Sequence, residues 1–284
     1  MKADLHTHTS RSDGVLEPAE LVRQAHAAGL DCLALTDHDS LAGIAEAAAT
    51  ASNVGLTFIA GVELSVRDKE RTEDHLLGLF VDPSSAGLQQ YLAVLQDARR
   101  AMADQTLEAL ARLGLPVSSE RVAELARGAV VTRPHIARAM IEAGYVKDER
   151  EAFDRYLGTG RPAAPERPSP APEVAIAAIR EAGGVAGLAH PIFPRDAQAA
   201  QRRGALRTRL ASMVEAGLQA MECLYPDSTP ELTAELSQLA AAFDLIVTGG
   251  TDYHGPGKAP FAPLGQVTVD GSVIDRLDAA RRAH

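Results

Sequence analysis

The chain has 284 residues, a formal net charge of −10, 46% hydrophobic residues and no tryptophan. That length suits one barrel-sized domain, or one domain carrying an insertion, and the acidic balance speaks against a broad electrostatic grip on nucleic acid. No apolar run approaches membrane-spanning length, and the start Met1-Lys-Ala-Asp carries no leader pattern.

Asp4-Leu-His6-Thr-His8 opens the chain. Two histidines one residue apart fall on the same face of an extended strand, where two neutral nitrogens can grip one metal ion. Asp13 follows in a loop closed by Gly14 and can add an oxygen ligand. Pro18 opens a helix to Ala28, with Gly29 as its stop. Leu30 to Thr36 reads as a buried strand ending in Thr36-Asp37-His38-Asp39. An Ala-rich helix over 41–53 precedes a strand from Thr57 to Val62, which delivers Glu63. His75 heads the next strand. This alternation predicts a parallel α/β sheet.

The rhythm then changes. Gly87 to Ala129 reads as successive helices, followed by Thr132-Arg133-Pro134-His135, a helix through Ala143 and another around Glu149–Leu157. Residues 160–172 hold five prolines and read as a linker. The β/α order returns with a helix over 173–182 and a strand from Val185 to Ala189 that delivers His190. A helix over 205–216, a strand from Ala220 to Leu224 and a helix over 230–242 follow. The last predicted strand, Leu245 to Gly249, leads into Asp252 and His254. These elements divide the chain into a barrel domain, 1–87 and 167–284, and a helical insertion, 88–166. Cys32 and Cys223 lie in apolar strand-like surroundings, which predicts buried free thiols and suits a reducing cytoplasm.

His6, His8, Asp13, His38, Glu63, His75, His190, Asp252 and His254 gather at or beside the ends of the predicted strands, where β/α barrels keep their chemistry. Mixed imidazole and carboxylate ligands suit zinc, manganese or iron rather than calcium. Nine ligands exceed one ion, so the set predicts a centre of two or three divalent metals bridged by Glu63.

The order D-L-H-x-H, D-G, T-D-H-D, G-x-E, H, A-H-P and D-x-H, spanning Asp4 to His254, resembles the PHP (polymerase and histidinol phosphatase) superfamily of metal-dependent phosphoesterases. The resemblance implies a distorted seven-stranded β/α barrel that holds up to three metals, manganese foremost and zinc or iron as alternatives. It also implies one metal on His6, His8, Glu63 and Asp252, a second on Glu63, His75 and His190, and a third on Asp13, His38 and His254. The implied nucleophile is a metal-bound hydroxide with Asp13, Glu63, His190 and Asp252 around it. Thr132-Arg-Pro-His-Ile-Ala-Arg138, Ala152-Phe-Asp-Arg-Tyr-Leu157 and a Gly-Arg-Pro turn narrow the likeness to one branch. Its members take the 3′-phosphate from 3′,5′-nucleoside bisphosphates, or trim short 5′-phosphorylated oligonucleotides. There the insertion caps the site, and Arg133 and His135 stand at the matching phosphate-binding positions, while Pro134 departs from a variable position. The implied partner is a small phosphorylated nucleotide, with short oligonucleotides as an alternative.

Three other readings compete. Histidinol-phosphate phosphatase shares the fold and chemistry. A metal-dependent amidohydrolase also begins with H-x-H, but Lys2, Lys69, Lys147 and Lys258 stand at no predicted strand end where a bridging lysine is needed. A metal-stabilised binding module without catalysis would have no need of all nine ligand positions.

Overall fold

The computed structural model describes residues 1–68, 73–165, 169–192, 199–258 and 262–283. The centre of the predicted linker, 166–168, with the expected domain boundary, lies outside the described residues, as does Lys69.

The first half of the sheet grows as the alternation predicts. Strands β1 (Lys2–Asp4), β2 (Cys32–Leu35) and β3 (Thr57–Arg67) run parallel, joined by helices α1 (Pro18–Ala27) and α2 (Ile44–Val54). Pro18 pre-sets the first turn of α1, and Gly55 ends α2 in the left-handed conformation. The fourth strand, β4 (Glu73–Leu79), departs from the all-parallel expectation, because it pairs antiparallel with β3. A parallel neighbour needs a crossover of a dozen residues or more, and only residues 68–72 separate these strands. The reversal matters for function: the start of β4 lies beside the far half of β3, so His75 joins the same end of the sheet as Glu63.

After β4 come α3 (Ala86–Arg112), α4 (Ser119–Ala126), α5 (Arg133–Glu142) and α6 (Glu149–Ala152), the last continuing as a π-helical turn over Phe153–Leu157. Helix α7 (Pro172–Glu181) then leads to β5 (Val185–Leu188), antiparallel to β4. Helix α8 (Ala199–Glu215), β6 (Ala220–Leu224), α9 (Pro230–Ala242) and β7 (Ile246–Gly249) complete a parallel run. A two-residue strand, β8 (Val269–Asp270), and helix α10 (Gly271–Arg282) had no counterpart in the predicted elements. Two residues carry no readable period, and β8 exists through its antiparallel pairing with β1.

The eight strands form one sheet in the order β7-β6-β5-β4-β3-β2-β1-β8. Beyond β1 the chain runs along the continuation of β7: His8 N–H donates to the Tyr253 carbonyl at 2.8 Å, and Thr7 bridges Tyr253 in parallel. The sheet is therefore a nearly closed barrel, and His6 and His8 sit where it closes.

Two hydrophobic clusters flank the cavity described below. One joins Val62, Leu64 and Leu76 of the sheet to Leu88, Leu92 and Leu95 of α3 and to Ile176 and Ile179 of α7. Another lies within the helices between β4 and β5 and joins Ala103, Ala109 and Leu110 of α3 to Ile136, Met140 and Leu157. Cys32 and Cys223 are buried free thiols, and burial pushes both up to about 12.

Candidate metal centre

Backbone geometry assembles the nine predicted side chains at one end of the sheet. A Cβ at Gly14 would lie 2.7 Å from the His8 carbonyl oxygen, so only glycine lets the Asp13 loop fold this tightly onto the first strand. His190 and Asp252 adopt positive φ angles of 21° and 50°, a costly conformation for residues with a side chain and one that clusters at functional sites. His190 stands two residues past the end of β5 and Asp252 three residues past the end of β7.

Glu63 is the hub. Its Oε2 lies 3.3 Å from His6 Nε2, 3.3 Å from His8 Nε2 and 2.8 Å from His38 Nδ1. Its Oε1 faces His75 Nδ1 at 2.8 Å and His190 Nε2 at 3.1 Å. Asp252 Oδ1 closes the first group, 3.3 Å from His6 Nε2 and 3.0 Å from His8 Nε2. Asp13 Oδ1 meets His254 Nε2 at 3.2 Å and His38 Nε2 at 3.9 Å. Three groups have ligand atoms close enough to share an ion: His6, His8, Glu63 and Asp252; His8, Asp13, His38 and His254; and His38, Glu63 and His75. His190 reaches the third group through Glu63 Oε1.

The charge state of the centre without metal shows what it is built to hold. Burial opposes a charge on His6, yet the carboxylates of Glu63, Asp252 and Glu222 hold it well above the usual imidazole range. His8 is pushed up to about 10, again against burial, by Asp252 and Glu63. His75 is raised against burial by Glu63. In return, the imidazoles hold Glu63, Asp13 and Asp252 well below the usual carboxylate range despite burial. Only His38 moves down, because burial outweighs its carboxylate neighbours. Protons here stand in for missing positive charge. Buried polar atoms are normally hydrogen-bonded, yet His6 Nε2, both His8 ring nitrogens, His38 Nδ1, Asp13 Oδ1, Glu63 Oε2 and Asp252 Oδ1 are buried without a hydrogen bond. Nitrogen and oxygen donors converging in this way fit divalent transition metals.

The centre opens into a cavity of about 560 Å³. Asp13, His38 and His75 line its floor, and Arg67, Arg99, Arg133 and Arg161 bring four guanidinium groups around it in an otherwise acidic protein. A second space of about 400 Å³ adjoins it across His75 and Arg133 and reaches His190 and Arg202. Arg133 therefore borders both. Its guanidinium lies 5.8 Å from the Phe153 ring centroid, with Nη1 donating to the Leu157 carbonyl at 3.4 Å and Nη2 3.7 Å from Glu73.

His135 stands apart from Arg133. Its Nδ1 accepts the Thr132 backbone N–H at 3.0 Å, closing a capping box at the start of α5. It lines a separate small recess of about 50 Å³ with Gly14 and Arg138. Burial, ahead of the nearby charges, lowers it to about 4, so the ring is neutral at pH 7.

A PHP domain family pattern matches residues 4–156, more than half of the chain. The chain belongs to the PHP family. Among its PHP relatives, a 5′-3′ exoribonuclease of Haemophilus influenzae is 35% identical over 255 residues, 90% of each chain. A 3′,5′-nucleoside bisphosphate phosphatase of Chromobacterium violaceum is 32% identical over 263 residues, covering 90% of this chain and 88% of that one. A solved structure from Bifidobacterium adolescentis, described as a metal-dependent phosphoesterase, superposes with a TM-score of 0.88 at 31% identity, over 98% of this chain and 96% of that one.

Around the PHP centre lies a second layer that the sequence reading missed. Glu222 of β6 sits with both carboxylate oxygens 3.3 Å from His6 Nδ1 and accepts the His190 backbone N–H at 2.9 Å. It thereby turns His6 Nε2 toward Glu63, as partners behind metal-binding histidines do. Asp37 accepts from Thr9 and Ser12, and Asp4 accepts from Thr251, fixing the loops that carry Asp13 and Asp252. Burial dominates Asp4 and pushes it up to about 6. One signal was available for Glu222: an acidic residue inside the apolar strand Ala220-Met-Glu-Cys-Leu224 needs a buried partner.

Proposed function

We propose that this PHP protein is a manganese-dependent phosphoesterase that removes the 3′-phosphate from 3′,5′-nucleoside bisphosphates. One observation carries the reading: a cluster of nitrogen and oxygen atoms buried without hydrogen bonds meets, through Asp13 and His38, a cavity lined also by Arg67, Arg133 and Arg161. That pairing suits a substrate with two anionic groups, one at the metal centre and one beyond it. The relatives named as bisphosphate phosphatase and exoribonuclease support the same class. No helix among the described residues is long and apolar enough to cross a membrane, and the buried reduced cysteines suit the cytoplasm.

His6, His8, Glu63 and Asp252 would hold one ion, Glu63 with His75 and His190 a second, and Asp13, His38 and His254 a third. Bound there, the ions supply an activated water and positive charge for the phosphoryl oxygens. Glu63, with Oε2 toward His6 and His8 and Oε1 toward His75 and His190, would belong to the first two sets at once. The imidazoles would hold the ions as neutral rings, so metal binding would release the protons they carry without it. Arg133 offers a planar fork to the phosphate that is not cleaved, which a point-charge ammonium would orient less well. The insertion expected over 88–166 would supply the cap that carries Arg133 over the centre, with the start of α3 packed into the barrel core. His135 serves this role indirectly, by fixing the start of α5. Being neutral at pH 7 and capped through Nδ1, it is poorly placed as a general acid.

A second reading, 5′-3′ exonuclease on short 5′-phosphorylated oligonucleotides, draws on the adjoining 400 Å³ space, which gives a phosphodiester room on both sides of His75. Phosphate release from 3′,5′-adenosine bisphosphate, histidinol phosphate and a short 5′-phosphorylated RNA separates the readings when run with manganese and with chelator. Selective, manganese-dependent turnover of the bisphosphate is expected. Mononucleotide release from the RNA alone would move the assignment to the exonuclease, and turnover of histidinol phosphate alone would remove the nucleotide reading.

A further inference from the structure

Arg99 lines the cavity from the boundary between the inserted helices and the barrel, and it is buried. It projects from α3, yet its hydrogen bonds reach the sheet. Nε donates to Asp39 Oδ2 at 2.5 Å and Nη2 donates to Ser65 Oγ at 3.1 Å. The two partners are placed with respect to the metal centre. Asp39 directly follows His38 and holds a positive φ of 49°, a conformation that a side-chain residue keeps only when its surroundings enforce it. Its other oxygen accepts the Ser65 backbone N–H at 3.2 Å, and its own N–H donates to the Glu63 carbonyl at 2.9 Å. Ser65 lies two residues beyond Glu63, on the same face of β3, and pairs across the sheet with His75. One turn earlier on α3, Gln96 donates to the Asp39 carbonyl at 3.0 Å.

We propose that Arg99 is a positioning residue that locks His38, Glu63 and His75 into one ligand array, so that the helical insertion completes the metal centre as well as covering it. The guanidinium fits this task because its fixed fork bonds two oxygens on different elements at once. The array governs the ions shared by His38 and His75. The set on His6, His8, Glu63 and Asp252 shares only Glu63 with that array, and its other three ligands are anchored where the chain after β1 meets the chain after β7. The inference rests on the metal-ligand reading above.

The test is manganese binding by metal-stripped full-length protein, measured calorimetrically and by metal content after desalting, beside melting of the same metal-free samples. Wild-type protein is expected to take up two or three ions. Arg99→Ala should keep the tightest ion and bind the others about 10- to 100-fold more weakly. Arg99→Lys should restore part of that loss, since an ammonium reaches Asp39 but cannot bond Ser65 in the same geometry. Wild-type stoichiometry and affinity in Arg99→Ala would overturn the proposal. So would equal weakening of every ion together with a lower metal-free melting temperature, which marks a merely structural residue. Should Arg99→Ala fail to fold, Arg99→Lys is judged by the same criteria. Wild-type protein that takes up fewer than two ions would instead remove the metal-centre reading beneath it.

Discussion

The cavity has two walls built on different principles. On the barrel wall every ligand-bearing side chain except Asp13, which sits in the loop between β1 and α1, lies in a strand or within a few residues of its end. Glu63 and His75 sit in paired strands, while His6 and His8 are clamped by the Tyr253 pairing. On the helical wall, Arg133 projects from the first turn of α5 and leans on Phe153 and Leu157. Its position depends on a hydrophobic cluster of its own. The barrel wall is dense in imidazoles and carboxylates, and apart from Arg67 of β3 the cavity's permanent cations come from the helical wall. The first suits the reacting phosphate, and the second suits recognition of whatever is attached to it.

The largest effects should separate the two walls. Glu63→Gln keeps the shape of the hub but removes its charge, and should lower kcat on the order of 10³-fold, the scale of losing a principal transition-state stabiliser. Metal content should fall with it. Arg133→Ala should leave metal content unchanged and reduce kcat/KM for the bisphosphate about 100-fold, the size of a lost charge-assisted contact. Full activity of Arg133→Ala on the bisphosphate would break the division, and so would loss of metal in that variant.

The same contrast decides what the sequence could reveal. The barrel-wall residues stand at regular strand ends, so the motifs from His6 to His254 were legible along with the order of most elements. The direction of β4 was not, because His75-Leu-Leu-Gly-Leu reads as an apolar strand in either direction and only its short link to β3 forces the reversal. Glu222 showed only as an acidic residue in an apolar strand and Arg99 showed not at all, because both touch the site through other side chains. One acts through His6 and the other through Asp39 and Ser65, contacts between residues 216 and 34 positions apart. His135 shows the opposite limit: a histidine at the end of a Thr-Arg-Pro-His run can serve as a phosphate ligand or as a helix cap, and its Nδ1 makes the capping bond.

Protonation gives a smaller and sharper test. Because the folded value of His8 is raised from 6.5 to about 10, its protonated form stabilises the metal-free protein. That contribution is complete below the unfolded value and is lost as pH rises through the folded one. Metal must displace these protons, so manganese affinity should rise with pH, by up to about tenfold per unit for each proton released. The measurement is competition against a chelator of known affinity at about pH 7 and about pH 9. His135→Ala should leave the slope unchanged, because His135, lowered to about 4, is already neutral across that range. A pH-independent affinity would mean that the histidines are already neutral rings in the metal-free protein.

The smallest effect tests whether the walls unfold together. Ile136 lies fully within the helical cluster and Ile179 within the barrel cluster. Removing one methylene from either should cost about 1 kcal/mol. Separate cores invite separate transitions, but one element opposes that. Helix α3 spans 27 residues, about 40 Å, with Leu88, Leu92 and Leu95 in the barrel cluster and Ala103, Ala109 and Leu110 in the other. Arg99 sits between the two sets and is tied to Asp39 and Ser65. Fraying of the helical cluster would have to propagate along a helix whose first half is held in the barrel core and whose middle is pinned by a buried ion pair. Ile136→Val and Ile179→Val should therefore shift one shared unfolding transition by similar amounts, read by denaturant titration with far-ultraviolet circular dichroism. A first transition moved only by Ile136→Val would show that the helical wall opens alone, and that Arg99 transmits less of the fold's cooperativity than its contacts imply.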